Sequence, residues 1–448
     1  MAFRVYPVAR KWGGRHAEAL LRWPVKYDSG ESMSKVYDVA VVGAGLIGLA
    51  TAKTLQQRHP ELSIAVLDKE TAPGRHQSGH NSGVLHAGVY YKPGSLKAEL
   101  CVQGKSAMER FADENGIAVD TCGKLIVALD ESELGRLADL EQRGRANGVP
   151  GLRMVGPDEM REIEPHVTGV RALHSPGTGI IDFGRVVQVL AEQLEAVGVE
   201  ILLGHEVRGL RRSGAITAIT TGHGDVLARR VISCAGLHSD RVARLDSDPD
   251  VTIIPFRGDY YTLTPEARHL CRGLIYPVPD PTLPFLGVHF TKRHDGEVWA
   301  GPNAVLATAR EGYRRSDLDL ADLVETVRYP GFAKLARKFW KTGAQEVWRD
   351  VVKAAFLRDL QRYVPAVRSD QLVFGPSGVR AQAVAVDGTL VDDFKLSVSE
   401  SSVHVLNAPS PAATASLAIA GRLADEVESA FAWERPAAAA APPPTHIN

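Results

Sequence analysis

The sequence predicts an α/β protein in which a discontinuous Rossmann-type domain is joined to an antiparallel-sheet domain. Three patterns predict this fold class. A glycine-rich segment joins an apolar strand to a helix within residues 38–55, which is typical of a dinucleotide-binding βαβ unit. A second apolar strand, at residues 230–236, lies far along the chain, so we expect the parallel sheet to form from distant segments. Residues 251–310 alternate between apolar and polar with period two, as antiparallel strands do.

The composition excludes several classes of protein and site. The formal net charge of −1 gives no indication of a nucleic-acid partner. No run approaches the roughly 18 apolar residues that a membrane span needs. The cysteines lack the C-x-x-C spacing of zinc sites and redox dithiols, so we predict no metal and four buried thiols: Cys101, Cys122, Cys234 and Cys271. A chain of 448 residues exceeds the roughly 250–300 residues of a single core, which predicts two connected domains.

The two ends of the chain are expected to lie outside the folded domains. Residues 1–36 form a basic, acid-poor leader, which is either a mitochondrial transit peptide or an over-extended reading frame whose true start is Met33. Residues 433–448 are rich in alanine and proline and bury too little apolar surface to pack. We therefore predict a disordered tail there.

The first βαβ unit carries the G-x-G-x-x-G fingerprint. Gly43 permits the tight turn, Gly45 lets the backbone approach a pyrophosphate, and Gly48 brings the helix close to the strand. The helix that follows directs its N–H groups and its positive dipole end toward the phosphates. Asp68 ends the next apolar run, where a carboxylate binds a ribose hydroxyl. The predicted contacts with a dinucleotide cofactor in this unit are Gly43, Ala44, Gly45, Leu46, Ile47, Gly48, Asp68 and Lys69.

A polar, glycine-rich loop at residues 74–83 follows directly and is expected to line the rest of a long cofactor. A merely solvated loop is the alternative interpretation. The contacts predicted from this loop and the strand after it are Arg75, His76, Ser78, Asn81, Ser82, Gly83 and Val84. The strand at 230–236 ends in Ala235-Gly236, where small residues let the backbone face the cofactor without a clash.

The remaining pattern places further elements along the chain. Helices are predicted at 96–115, 131–147, 184–197, 315–360 and 412–430, and strands at 123–129, 200–203, 257–263, 286–291, 297–301 and 403–407. Hairpins are predicted at 207–218 and around the turn at residues 294–296. We assign residues 37–95, 165–250 and 370–432 to the cofactor domain, and residues 96–164 and 251–369 to the substrate domain.

Longer segments of the chain resemble a known family. The segment HQSGHNSGVLHAGVYY spans residues 76–91, and the others are IYPVPDP at 275–281, FLGVHFT at 285–291, AGPNAVLA at 300–307, GVRAQA at 378–383 and NAPSPAAT at 407–414. The chain resembles the L-2-hydroxyglutarate dehydrogenase (oxidase) family, within the FAD-dependent D-amino-acid-oxidase superfamily, over residues 38–430. It departs from the family at Asp68, where glutamate is more common, and in residues 1–36, which have no recognised counterpart.

The resemblance implies a D-amino-acid-oxidase-like fold, noncovalent FAD and oxidation of L-2-hydroxyglutarate to 2-oxoglutarate. It also implies that electrons leave to an acceptor other than NAD, such as a quinone or the respiratory chain. The sequence agrees with this, since it holds no second G-x-G-x-x-G segment for a nicotinamide cofactor. Further cofactor contacts are expected at Val207, Gly378, Pro411 and Ala412; Ala412 begins a helix whose N-terminus suits a phosphate or a flavin carbonyl.

Oxidation of an α-hydroxy acid needs a fixed carboxylate and an acceptor for the hydroxyl proton. A guanidinium binds a carboxylate in bidentate fashion, and Arg380 stands where relatives place such an arginine; a surface salt bridge is the alternative. The base should titrate near neutrality, which favours histidine. His86 and His289 are the candidates, with His86 ranked slightly first, and a structural core histidine is the alternative for each. Candidates for the distal carboxylate are Arg257, Tyr260, Tyr276 and Gln382, and Asn407 is a further predicted substrate contact.

Two other functions stay open at this point. The same fold serves FAD oxidases of other 2-hydroxy acids, amino acids or glycerol phosphate, and a flavoprotein with a regulatory role belongs to a different class. Residues 331–341 mix aromatic, aliphatic and basic side chains at helical spacing, either for contact with an anionic membrane surface or as a packed cap. We expect a cytoplasmic protein peripheral to the inner membrane, or a mitochondrial one in a eukaryote.

Overall fold

The computed structural model describes residues 35–281 and 286–434. Most of the predicted leader, most of the predicted tail and Phe285 therefore lie outside the described residues.

The described residues form twenty strands in three sheets. In chain order they are β1 (Val36–Val42), β2 (Ile64–Leu67), β3 (Val84–Leu85), β4 (Val119–Asp120), β5 (Lys124–Ala128), β6 (Arg153–Val155), β7 (Arg171–Ser175), β8 (Gly179–Ile181), β9 (Glu200–Leu202), β10 (Gly209–Ser213), β11 (Ile216–Thr221), β12 (Gly224–Ser233), β13 (Val251–Leu263), β14 (Leu274–Pro277), β15 (His289–Lys292), β16 (Val298–Gly301), β17 (Val305–Leu306), β18 (Leu372–Ala385), β19 (Lys395–Val398) and β20 (Ser402–Asn407).

Ten α-helices accompany them in the described residues. They are α1 (Leu46–Arg58), α2 (Leu96–Glu114), α3 (Leu134–Ala146), α4 (Pro157–Ile163), α5 (Phe183–Ala196), α6 (Ser239–Ala243), α7 (Leu320–Arg328), α8 (Pro330–Val351), α9 (Lys353–Gln361) and α10 (Ala412–Phe431). None of these helices combines the length and the hydropathy that crossing a bilayer requires.

The first sheet is built around parallel strands from distant parts of the chain. Its central order is β20-β12-β1-β2-β9, with β19 antiparallel to β20 and the ribbon β10–β11 paired to the first half of β12. Val41 pairs with Ile232 on one side and with Val66 on the other. Helices α1, α2, α5 and α10 pack on one face, and the ribbon packs on the other. Because both faces are covered, these strands read as continuous apolar runs.

The second sheet has nine strands and carries the substrate domain. Its order is β17-β13-β16-β15-β14-β5-β7-β6, and β18 lies antiparallel to β13 from Val251↔Ala385 to Leu263↔Leu372. The pairing is irregular between Asp259 and Tyr261. Strands β5 and β14 run parallel, which joins an early segment of the chain to the inserted antiparallel one. One face of this sheet is covered by α9 and the short helix at Pro265–Leu270.

The predicted fold class is confirmed: a discontinuous Rossmann-type sheet accompanies a largely antiparallel one. The helices predicted at 96–115, 184–197 and 412–430 correspond to α2, α5 and α10, and the predicted 294–296 turn joins β15 to β16. The domain boundaries stay a prediction, and the sheets divide the chain differently at three places. Helix α2 packs in the core of the first sheet, whereas β7 and β18 belong to the second.

Candidate active site

The glycine fingerprint forms the turn between β1 and α1. Gly43 has φ +107°, a left-handed conformation that L side chains rarely adopt. A Cβ on Gly48 would lie 1.9 Å from the carbonyl oxygen of Gly43, so the helix can approach the strand only with glycine there. The tasks predicted for these two glycines agree with this geometry.

Asp68 and Ser78 hold the backbone of this turn in place. The Asp68 carboxylate accepts hydrogen bonds from the backbone N–H of Ala44 at 2.7 Å and of Glu70 at 2.9 Å. The Ser78 hydroxyl accepts one from the N–H of Leu46 at 2.9 Å. The assignment of Asp68 to a ribose stays a prediction; in the structure its carboxylate orients the glycine turn.

A cavity of about 400 Å³ opens along this turn. The predicted cofactor residues that line it are Gly43, Gly45, Leu46, Ile47, Asp68, Lys69, Arg75, His76, Ser78, Val207, Ala235, Gly236 and Ala412, together with Asn407, which was predicted for the substrate. Lining residues that sequence reasoning missed include Gln77, His205, Glu206, His238, Ser239 and Ala408. Gln77, Glu206 and Ala408 are direct chain neighbours of predicted residues, and for these three that adjacency was the available signal.

The other predicted cofactor residues lie beside the cavity lining. Gly48 and Ala44 shape the turn, and Gly378 lies against the carbonyl of His80. Asn81 donates its amide to the carbonyls of Gln77 and Ser78 and so folds the polar loop. The remaining ones are Ser82, which is half-buried, and Gly83, Val84 and Pro411, which are buried.

A cluster of charges lies where the polar loop meets the substrate domain. Glu311 accepts hydrogen bonds from Lys69 and from His238, each at 2.7 Å. Burial by itself raises the pKa of Glu311, but the hydrogen bonds from His238 and Lys69 outweigh it and lower the pKa to about 2. His76 donates or accepts a 2.9 Å hydrogen bond with the Tyr313 hydroxyl. These contacts tie residues 69–76 to residues 311–313 beside the cavity.

The cavity fits a long dinucleotide such as FAD. Helices α1 and α10 both begin at its wall, and in each the first turn has neither an acidic residue nor a side-chain cap. Two helix N-termini with free positive dipole ends suit a pyrophosphate and a flavin carbonyl. A Cβ on Gly45 would lie 3.0 Å from the Ser78 hydroxyl, so glycine keeps the backbone open to the ligand at this point.

One face of the second sheet carries the candidate substrate residues. Side chains alternate along a strand and neighbours in register share a face. Lys124 of β5 pairs with Leu274 of β14, and Leu274 pairs with Thr291 of β15, so these side chains share a face. Tyr276 is two residues from Leu274 and His289 is two residues from Thr291, so both lie on that face as well. Tyr260 lies on the same face, and its ring contacts that of Trp299 with 5.0 Å between the centroids. Arg380 lies on this face too, because β18 pairs with β13.

Arg380 lies on β18, opposite Phe256 of β13. Its side chain keeps solvent-accessible surface, and the protein around the guanidinium lowers its pKa, while Tyr260 acts in the opposite direction. The next residue, Ala381, donates its backbone N–H to the Gln77 side chain at 3.0 Å, which couples this strand to the cofactor loop.

The two histidines approach the same region from different elements. His86 follows β3, and its backbone N–H donates to the hydroxyl of Thr414 at the start of α10. His289 Nδ1 lies 3.0 Å from the carbonyl oxygen of Gly287, which can only accept, so Nδ1 carries the proton and Nε2 is the basic nitrogen. Burial lowers the pKa of His86 well below its usual value and that of His289 to about 3. Both rings are therefore neutral.

Lys124 is a residue that sequence reasoning missed. Its side chain is buried, with 3% relative exposure, and burial lowers the pKa of its ammonium to about 7. The ammonium lies 4.2 Å from the ring centroid of Tyr276, and the Tyr276 ring stacks on His289 at 3.9 Å. The available signal was a lysine at the start of the apolar run 124–129, because lysine is rarely buried in a strand unless its charge has a partner.

Three predicted substrate residues are engaged elsewhere. Arg257 lies on the opposite face of β13, with Asp259 Oδ1 at 2.9 Å and Asp350 Oδ2 at 3.4 Å from its guanidinium, so the structure does not bring it to the cavity face. Gln382 donates its amide to the carbonyls of Ala383 and Val391. Asn407 donates to the carbonyls of Val391 and Asp393 while lining the cofactor cavity.

Comparison with known proteins places this geometry in context. The model of the family "FAD dependent oxidoreductase" matches residues 38–426. The mitochondrial L-2-hydroxyglutarate dehydrogenase of Nematostella vectensis is 47% identical, over 89% of this chain and 92% of the relative. The L-2-hydroxyglutarate dehydrogenase of Indibacter alkaliphilus is 44% identical, over 87% of this chain and 98% of the relative.

The fold is also similar to that of a solved flavoprotein. The structure of L-α-glycerophosphate oxidase from Mycoplasma pneumoniae with FAD bound superposes with a TM-score of 0.73, over 89% of this chain and 96% of that one. The two sequences are 24% identical, so the similarity concerns the fold.

Proposed function

We propose that this chain, which belongs to the FAD dependent oxidoreductase family and within it to the L-2-hydroxyglutarate dehydrogenases, oxidises L-2-hydroxyglutarate to 2-oxoglutarate with FAD as its cofactor. The observation that carries the chemistry is the shared face of the second sheet. It presents Arg380, His289 and Lys124 together, beside a cavity with the lining that FAD requires.

Arg380 is proposed to bind the α-carboxylate of the substrate. A planar guanidinium donates two parallel hydrogen bonds to a carboxylate, which fixes both its position and its orientation. The protein around the Arg380 guanidinium strengthens this pairing, since Coulomb attraction grows as the local dielectric falls. The C2 carbon, one bond away, is then held in a defined orientation.

His289 is proposed to accept the hydroxyl proton on Nε2. Its Nδ1–H is fixed on the Gly287 carbonyl, so Nε2 is left as the basic nitrogen. This favours His289 over the sequence ranking, which placed His86 slightly first. When bound, FAD supplies the isoalloxazine that accepts the hydride from C2. Protonated imidazole and the bound anion attract each other, so the substrate itself raises the basicity of His289.

The electrons are proposed to leave to a quinone at a membrane surface. Helix α8 exposes Lys334, Arg337, Lys338 and Lys341 together with Trp340, which is 64% exposed. Phe332 and Phe339 of the same helix pack inward, which supports the helix on the substrate domain. An exposed basic and aromatic surface suits an anionic lipid interface. We accordingly propose a protein peripheral to the inner membrane, mitochondrial in a eukaryote.

Anaerobic mixing tests the proposed reaction. Purified, FAD-loaded protein is mixed with L-2-hydroxyglutarate, and bleaching of the flavin spectrum is followed. The matched controls are the D enantiomer, glycerol 3-phosphate and an L-amino acid. We expect bleaching by L-2-hydroxyglutarate alone. Faster bleaching by either of the other two substrate classes would assign the chain another donor.

Vesicle flotation tests the membrane surface. We expect the protein to float with anionic vesicles and not with neutral ones, and the Lys338→Glu/Lys341→Glu double variant to stay in solution. Equal flotation of the double variant, with its turnover of a soluble quinone unchanged, would refute the surface while leaving the proposed reaction intact.

A further inference from the structure

Two buried hydrogen-bond donors beside the histidines face no acceptor among the described residues. The Lys124 side chain makes no hydrogen bond or ion pair with these residues, and its interactions are with the rings of Tyr276 and Tyr90, whose centroids lie 4.2 and 5.2 Å from the ammonium. The Tyr90 hydroxyl is buried and has no hydrogen-bond partner in the part of the chain that the structure describes. A buried polar group left unsatisfied is unfavourable, and more so if it is charged. Two such groups side by side indicate a ligand that supplies the acceptor.

The position of this pair along the sheet identifies which part of the substrate it meets. In strand order Arg380 lies on β18, His289 on β15 and Lys124 on β5, so His289 stands between the two cations. Both Lys124 and Arg380 lower the pKa of His289, so both cations lie near it. A substrate held by its α-carboxylate at Arg380 extends past His289 toward Lys124.

We propose that Lys124 and Tyr90 bind the distal carboxylate of the substrate and thereby make the site specific for dicarboxylic hydroxy acids. This inference rests on the proposed function, since it names the part of L-2-hydroxyglutarate that the function leaves unassigned. The Lys124 ammonium pairs with the carboxylate charge, and the Tyr90 hydroxyl donates the second hydrogen bond. The Tyr276 ring contacts both the Lys124 ammonium and the His289 ring, and so holds the two side chains beside the same space.

The charge balance of the site supports a carboxylate as the ligand. Within the described residues, no acidic group is paired with Lys124, and the titratable groups that act on its pKa are Cys101 and Cys122. A buried cation without a counter-ion is unfavourable, and a ligand that supplies the missing anion removes that cost. A monocarboxylic substrate leaves the cation uncompensated, so the same residue that attracts a dicarboxylate disfavours its shorter analogues.

Paired substrates test the assignment. L-2-Hydroxypentanoate has the carbon chain of L-2-hydroxyglutarate without the distal carboxylate. For Lys124→Met we expect the KM for L-2-hydroxyglutarate to rise about a hundredfold, the magnitude of a lost charge-assisted contact, while kcat/KM for L-2-hydroxypentanoate stays the same or increases. Tyr90→Phe, which keeps the ring, should raise the KM for L-2-hydroxyglutarate about tenfold. Calorimetric binding of glutarate, which lacks the reacting hydroxyl, should weaken in both variants.

The outcomes separate this inference from the proposed function. If Lys124→Met slows both substrates equally, Lys124 acts at the reacting centre and the inference is wrong. Unchanged selectivity and unchanged glutarate binding in both variants would also overturn it. A wild-type protein that bleaches with neither 2-hydroxy acid contradicts the proposed function instead. Melting temperatures guard against misfolding: Lys124→Met should melt no lower than the wild type, because it removes a buried charge.

Discussion

The cofactor cavity and the substrate face of this protein are built in opposite ways. The cavity is formed mostly by backbone: a glycine turn after β1, two helix N-termini and the small residues Ala235 and Gly236. The substrate face is formed by long side chains from β5, β14, β15, β13 and β18, which lie far apart in the sequence. Recognition of a ligand by the backbone requires residues with small side chains or none, and the sequence shows directly where such residues are. Side-chain recognition depends on strand register and on which face a residue occupies.

The opposite side of the same sheet sharpens this contrast. Arg257 and Arg380 lie on adjacent strands, yet the first is enclosed by Asp259, Asp350 and Arg315 in an internal charge network. Burial and the neighbouring Asp259 raise the pKa of Asp350. The pKa of Asp259 is lowered, because its hydrogen bonds with Asp350 and Ser377 outweigh the effect of burial. Arg257 and Arg380 therefore have different tasks, because the alternation of side chains along the strands turns them to opposite faces of the sheet.

The largest expected effect is at the glycine turn. Gly48→Ala should destabilise the fold by about 3 kcal/mol and yield protein without flavin, because its Cβ would collide with the Gly43 carbonyl oxygen. Gly45→Ala is the matched control: its Cβ meets only a serine hydroxyl, so the melting temperature of the FAD-free protein should be unchanged while FAD binds more weakly. Absorbance of bound flavin and thermal melts give both readings. A stable Gly48→Ala protein that still binds flavin would contradict the proposal that the backbone of this glycine turn forms the cofactor cavity.

Arg380→Met comes second. We expect kcat/KM for L-2-hydroxyglutarate to fall about a thousandfold, because the α-carboxylate loses its charged partner. Bound flavin should be retained. Arg380→Lys keeps the charge but loses the planar pair of donors, so its loss should be smaller. Stopped-flow bleaching measures both, and near-normal bleaching of Arg380→Met would remove this residue from the site.

Arg257→Met should affect stability and not substrate binding. Removing one partner of a buried ion pair costs about 3 kcal/mol, and here it leaves Asp259 and Asp350 close together. The melting temperature should drop, with KM for L-2-hydroxyglutarate changed less than in Arg380→Met. Arg315→Met, at a more exposed guanidinium in the same network, should cost less. A selective rise in KM without a change in melting would restore Arg257 as a substrate residue.

The smallest effect is a pH dependence of about tenfold per unit. Lys124 is charged below its pKa of about 7 and neutral above it, so kcat/KM for L-2-hydroxyglutarate should fall as pH rises through that value. The other groups around it stay uncharged there: burial lowers the pKa of His86 and His289, and raises that of Cys101, Cys122, Tyr90 and Tyr276.

Two matched measurements check this assignment. The decline should be absent for L-2-hydroxypentanoate, which has no distal carboxylate. It should also be absent in Lys124→Arg, because a guanidinium keeps its proton throughout this range. The same decline with both substrates would assign it to another group.

The cofactor half of the site could be predicted from the sequence, and the substrate half only in part. Gly43, Asp68 and Ala235 were identified because a turn, a strand end and a close backbone approach each restrict the residue type. Arg380 was found through the family resemblance, since no local pattern marks a carboxylate-binding arginine. Lys124 was missed because nothing within the run 124–129 reveals which side chains face the cavity.

The sequence by itself determined the βαβ unit, the order of the elements and the family, because these follow from local geometry and from long characteristic segments. The tertiary structure decided which of several arginines, histidines and lysines meet at one place. The physical reason is that register across the six strands β5, β14, β15, β16, β13 and β18 brings Lys124, His289 and Arg380 to one face and turns Arg257 to the other. Such a choice depends on pairings between residues more than a hundred positions apart, which no short pattern encodes.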